Sequence, residues 1–192
     1  MATEQMNIFL SASIPLPGRD PKYIETADVI AIRDSVLALT SVILPKYRLV
    51  WGGHPSITAL IAQVLRHSNQ EANQHVTLYQ TKFFERLFPL ENESVARIVL
   101  TPDLGDRDAS LLEMRLQMIR DNNFFAAFFI GGMDGVEDEY KMFTHYHPET
   151  KVFPIASTGA AAKLIFDATP GKFEKRLLTE LTYTSLFKDL LK

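Results

Sequence analysis

The chain contains no cysteine among its 192 residues. That excludes disulfides, thiolate nucleophiles and every cysteine-ligated zinc or iron–sulfur site, so the fold must hold by packing alone. It also lacks a surplus of positive charge: 20 Lys+Arg stand against 23 Asp+Glu, a formal net charge of -3, and no global basic field is available for a nucleic-acid backbone. Duplex nucleic acid is therefore not an expected partner. Nor is there an apolar run near the roughly 18 to 20 residues needed to cross a bilayer. The densest is Phe124-Phe125-Ala126-Ala127-Phe128-Phe129-Ile130. The start, Met1 to Asn7, is polar and carries Glu4 in place of the basic and apolar regions of a secretory signal. A soluble, cytoplasmic protein without membrane association is expected.

What is present is a hydrophobic content of 46%, ordinary for a packed globular chain. With no linker, repeat or low-complexity segment, residues 1–192 are expected to form one domain. Ile8 to Leu10 reads as a strand, ended by the proline- and glycine-bearing loop Ser11 to Gly18. Val29, Ile32, Val36 and Leu39 recur at helical spacing within a helix expected over 23–39, which Pro45 closes. Further strands are expected at 48–51, 75–79, 97–101, 124–130 and 151–155. Helices are expected at 56–67, 109–121, 136–143, 159–168 and 173–191, with 80–94 irregular. Strands that alternate with helices and are apolar throughout indicate a doubly wound α/β fold, a mainly parallel sheet with helices on both faces. In such a sheet, ligands bind beyond the carboxyl ends of the strands, near the switch in strand order.

Four strand-end loops are rich in small residues: Ser11-Ala12-Ser13, Gly52-Gly53-His54, Gly131-Gly132-Met133-Asp134-Gly135 and Ser157-Thr158-Gly159. Glycine lets backbone amides approach an anion closely, and the following helix N-terminus adds unpaired N–H groups and partial positive charge. Together they suggest an anionic ligand of nucleotide size. No Walker A loop and no intact G-x-G-x-x-G is present, which argues against a nucleotide triphosphatase or a dinucleotide dehydrogenase, and no cofactor is expected. No nucleophile elbow of the G-x-S-x-G kind occurs. His145-Tyr146-His147 could chelate, but two imidazoles without a third ligand at fixed spacing do not make a site, and no metal is expected.

The segment from Ser110 to Met118, the strand after it, Gly131-Gly132 and the acids Glu137, Asp138 and Glu139 resemble the SLOG superfamily. That Rossmann-like group includes the Lonely Guy phosphoribohydrolases and the Smf/DprA proteins. In the phosphoribohydrolases a helix carrying Met and Arg leads through a buried strand to a Pro-Gly-Gly-x-Gly-Thr loop with a glutamate beyond. Arg115, Gly131, Gly132 and Glu139 match that pattern. Ile130 stands in place of the proline, an extra residue separates Gly132 from Gly135, and Val136 replaces the threonine. The loops Phe9 to Ser13, Val50 to Pro55 and Pro154 to Gly159 look instead like SLOG branches of prokaryotic conflict systems.

The resemblance implies a Rossmann-like domain that senses a nucleotide-derived ligand, an ADP-ribose-like or cyclic-nucleotide signal, in antiphage defence. An effector protein and a second copy of the chain are the partners it suggests. The ligand-binding residues expected on these grounds are Ser11, Ser13, Gly52, Gly53, His54, Arg115, Gly131, Gly132, Met133, Glu137, Glu139, Ser157, Thr158 and Gly159. Were the protein instead a phosphoribohydrolase or nucleotide N-glycosidase, Arg115 would hold the anion and Glu139 would serve the acid/base role.

Overall fold

The computed structural model describes residues 6–44, 46–68 and 72–192, so Pro45 and most of the polar start lie outside the described residues. Six strands form one parallel sheet in the order β4-β3-β2-β1-β5-β6. They are β1 (Asn7–Ser13), β2 (Arg48–Trp51), β3 (Val76–Thr81), β4 (Ile98–Thr101), β5 (Phe124–Gly131) and β6 (Lys151–Ile155). Strand β1 lies at the centre, with Leu10 opposite Trp51 of β2 on one side and Phe128 of β5 on the other. The chain winds outward from β1 to β4 and then returns to the far side of β1 for β5 and β6. The order therefore reverses between β1 and β5, where a parallel sheet leaves an opening between diverging connections.

Period-two alternation sorts the strand side chains onto two faces. Ile8, Leu10, Leu49, Trp51, Phe128 and Ile130 face α2 (Val29–Ile43), α3 (Pro55–Arg66) and the C-terminal helices α7 (Arg176–Thr179) and α8 (Tyr183–Leu190). Phe9, Val50, Tyr79, Ala127 and Phe129 face α4 (Arg107–Arg120), α5 (Asp134–Tyr146) and α6 (Ala160–Asp167). Both faces of the central strands are buried, which explains why they read as continuous apolar runs. Each large side chain so enclosed contributes about 1.5–3 kcal/mol relative to exposure. The fold is thus the doubly wound, Rossmann-like α/β architecture.

Three segments differ from the sequence expectation. The helix expected over 23–39 is divided into a single turn, α1 (Pro21–Ile24), and α2. The division falls where the Asp28 carboxylate accepts the Ala31 amide at 2.9 Å and starts a new helix. The irregular stretch after β3 contains two 3-10 turns, Lys82–Leu87 and Leu90–Ser94. The helix expected over 173–191 is two helices, α7 and α8, separated at Glu180–Thr182, where the chain turns so that Leu177 and Leu186 are buried while Leu181 stays 63% exposed.

Candidate functional site

A cleft of about 380 Å³ opens at the carboxyl edge of the sheet over β3, β2, β1 and the start of α5. It straddles the reversal in strand order, and at about 4.8 Å per strand spacing it spans roughly 14 Å from β3 to β5. Ser11 and Ser13, one and three residues past Leu10, point to the face that carries Phe9, α4 and α5, and both line the cleft. Ser11 is 1% exposed and its hydroxyl has no hydrogen-bond partner among the described residues. That oxygen is itself enclosed, an unsatisfied buried polar group in the wall of the cleft.

The helices around the cleft begin in two ways. Asp28 caps α2 and Asp106 caps α4, each accepting an amide of its own first turn. Helices α3 and α5, whose first residues line the cleft, have no side-chain cap. The third amide of each first turn bonds the cap carbonyl, Ile57 to His54 and Val136 to Met133, which leaves the Ser56, Asp134 and Gly135 amides to bring partial positive charge to the opening. This is the local field that a chain of net charge -3 supplies to an anion.

Arg115 on α4 reaches across to α5. Its Nε donates to Glu139 Oε1 at 3.2 Å and its Nη1 lies 4.0 Å from Asp138 Oδ2. The side chains of Arg115 and Glu139 are 18% and 12% exposed, so the pair is largely shielded while still lining the cleft. Gly135 makes the approach feasible, because a β-carbon there would meet Arg115 Nη2 at 2.8 Å. His54 lies at the start of α3 with Nδ1 2.8 Å from the Ser56 hydroxyl. Burial holds its imidazole below the usual histidine value, so the neutral ring is favoured.

Of the residues expected from the sequence, the cleft therefore brings together Ser11, Ser13, Gly52, Gly53, His54, Arg115, Met133 and Glu139. The others do not line the cleft. The Gly131 amide donates to Thr158 Oγ1 at 2.8 Å, and the Gly132 amide donates to the Ser13 carbonyl at 2.8 Å. The paired glycines thus have their N–H groups spent inside the protein and do not form an open phosphate cradle. Thr158 is fully buried and also donates to the Ile155 carbonyl at 2.6 Å. Ser157 meets the Tyr183 hydroxyl at 3.1 Å, and Gly159 packs against the Thr26 carbonyl.

Glu137 faces α1, where it accepts from the Tyr23 hydroxyl and from Lys22 Nζ. Burial and this carboxylate together raise the Tyr23 phenol above its usual value. His147 Nε2 bonds the Ile119 carbonyl at 2.7 Å, and no group of three or more His, Asp or Glu able to hold a metal occurs among the described residues. No helix among them is long and apolar enough to cross a membrane.

Sequence reasoning did not anticipate Arg19, Gln80, Phe84, Phe88 or Arg107 at this cleft. Arg19 and Arg107 follow chain turns whose direction periodicity does not encode. Gln80 is the last residue but one of β3 and was readable as a strand-end residue; Phe84 lies in the 3-10 turn and Phe88 just past it, where the chain has no repeating pattern.

An α/β protein with its cleft at the strand-order reversal is built to take a small ligand beyond the carboxyl ends of its strands. The SLOG cluster3 family model matches residues 22–191, and the chain belongs to that family. It is similar to the X-ray structure of TM1055, a structural-genomics target, with a TM-score of 0.62 and 17% identity over 97% of this chain and 99% of that one. At that identity the likeness bears on the fold alone. No curated protein matches the chain.

Proposed function

We propose that the protein binds a nucleotide-derived ligand, of the ADP-ribose or cyclic-nucleotide kind, and acts as a sensor of it. The observation that carries the reading is the cleft itself: uncapped N-termini of α3 and α5 and the Arg115–Glu139 pair converge on one opening, with the unpartnered Ser11 hydroxyl enclosed in its wall. Family membership supports a nucleotide-related ligand. The spent amides of Gly131 and Gly132 favour binding over the phosphate grip of a phosphoribohydrolase. A setting in antiphage defence, with a partner effector, rests on the resemblance of the strand-end loops to conflict-system branches.

A second reading, an N-glycosidase, is favoured by one observation: the two residues it requires, Arg115 and Glu139, meet in the cleft wall. A carboxylate at that position could steady an oxocarbenium-like transition state. One experiment separates the readings. The protein is incubated with AMP, NAD, ADP-ribose and cyclic ADP-ribose isomers, with thermal shift and chromatography of free base as readouts. Saturable stabilisation with intact ligand supports the sensor. Base release that disappears in Glu139→Gln overturns it in favour of the hydrolase, and absence of both effects with these ligands and with GMP and IMP overturns both.

A further inference from the structure

The β3 end of the cleft differs from the α5 end. Its wall is aromatic, from Phe84 and Phe88 of the segment after β3, both half-buried. Its buried polar side chains are Gln80 and Thr81. The Gln80 side chain lies across Gly53, where a β-carbon would meet Gln80 Cγ at 2.8 Å and Nε2 at 3.0 Å; Gly53 has φ +70. Only glycine leaves room for the amide there.

The orientation of that amide is set by Asn92, whose Nδ2 donates to Gln80 Oε1 at 2.6 Å. Asn92 Oδ1 is then a buried acceptor without a partner. Turning both amides over would keep the mutual bond but leave a buried N–H orphaned, which costs more than an under-used carbonyl oxygen. Gln80 Oε1 is accordingly occupied, while Nε2 makes no hydrogen bond among the described residues and is not sealed from the cleft. The neighbouring Thr81 hydroxyl is also taken, donating to the Pro102 carbonyl at 3.2 Å and accepting the Phe83 amide at 3.3 Å.

We infer that this end of the cleft is a nucleobase subsite that prefers a 6-oxopurine, guanine or hypoxanthine, to adenine. The inference rests on the cleft being a nucleotide site. Phe84 and Phe88 offer the π-faces and apolar wall on which a base stacks. Gln80 offers N–H donors alone. The O6/N7 edge of a 6-oxopurine presents two acceptors to such a group, whereas the N6/N7 edge of adenine opposes one of its donors with an amino group. A glutamine reads adenine by using both amide atoms, and here Asn92 has taken the oxygen. Among the ligand classes above, a guanine-containing cyclic nucleotide fits this edge better than the adenine of ADP-ribose.

The test is calorimetric titration of the intact protein with GMP, IMP and AMP, repeated with Gln80→Glu and Asn92→Asp. GMP and IMP bind the wild type about tenfold more tightly than AMP. Gln80→Glu, which replaces the donor by an acceptor, reverses the order. Asn92→Asp can only accept, so it draws Gln80 Nε2 away and turns Oε1 to the cleft, moving the preference the same way without a change at Gln80. AMP binding as tightly as GMP in the wild type overturns the inference while leaving a nucleotide site in place. A GMP preference that survives in folded Gln80→Glu overturns the role of Gln80. Should GMP, IMP, AMP, NAD and the ADP-ribose ligands all fail to bind, the nucleotide reading falls and this inference with it.

Discussion

Arg115 and Glu139 join α4 to α5 through a 3.2 Å bond from Nε to Oε1 at the wall of the cleft, 24 residues apart in the chain. The pair has two consequences, for stability and for binding. Shielded to 18% and 12% exposure, it lies between a surface pair, worth up to about 1 kcal/mol, and a buried one, whose breakage costs about 3–5 kcal/mol. Arg115→Ala leaves Glu139 without its cation and is expected to destabilise the fold by about 1–2 kcal/mol in urea denaturation. It also weakens phosphorylated ligands more than the corresponding nucleosides. Equal effects on nucleotide and nucleoside would mean that Arg115 makes no contact with phosphate.

Thr158 is expected to act on stability and not directly on the ligand. Its hydroxyl accepts the Gly131 amide at 2.8 Å and donates to the Ile155 carbonyl at 2.6 Å, pinning the end of β5 to the end of β6. Thr158→Val keeps the shape and leaves a buried N–H unpaired, at a cost of about 1–3 kcal/mol. Urea denaturation reads that loss, while titration of the folded variant gives a ligand affinity within about twofold of wild type. A large loss of affinity at unchanged stability would put the Thr158 hydroxyl on the ligand.

The central strands were legible because a parallel sheet buries both their faces, which writes Phe124 to Ile130 as an apolar run between polar breaks. The site was legible at strand ends, where Ser11, Gly52 and His54 stand directly after the apolar residues. It was not legible where several loops compete for the same amides. Gly131 and Gly132 look open in sequence, but Thr158 and Ser13, distant in the chain, use their N–H groups. The break between α7 and α8 has no proline or glycine to mark it; there Thr182 donates to Glu180 at 2.7 Å and Arg176 binds Glu180 at 2.8 Å, stabilising the turn through contacts that helical periodicity does not record. Phe84 belongs to a 3-10 turn and Phe88 is the extended residue that ends it, backbone whose side chains follow neither a period of two nor 3.6.

Gly159 joins the last strand-end turn to α6 with φ 70 and ψ -156, a region open essentially to glycine alone. A β-carbon there would lie 1.7 Å from the Thr26 carbonyl oxygen, which is backbone and has no side-chain rotation by which to move aside. Gly159→Ala must therefore separate the Thr26 segment from α6 and break the bond from the Ala160 amide to Thr26 Oγ1. The expected loss is more than about 3 kcal/mol, from backbone strain and the lost bond together. Circular dichroism melting checks this, and a variant within about 1 kcal/mol of wild type would contradict the packing at this turn.

His54 gives the fold a pH dependence of definite sign. Its folded value is lowered from 6.5 by burial, so the unfolded chain takes up a proton before the folded one does. The stability contributed by the neutral ring is fully present above 6.5 and is lost as pH falls through the interval down to the folded value. His54→Gln, which retains a polar group beside Ser56 but does not titrate there, should flatten part of the decline in urea midpoint on acidification from pH about 7. NMR titration of the wild-type imidazole should place its midpoint below 6.5. A midpoint at or above that value would show that the ring is solvated and that the cleft does not enclose it. Bound nucleotide sharpens the case: a ligand that covers His54 without donating an anion to it lowers the midpoint further, whereas a phosphate resting on the imidazole raises it.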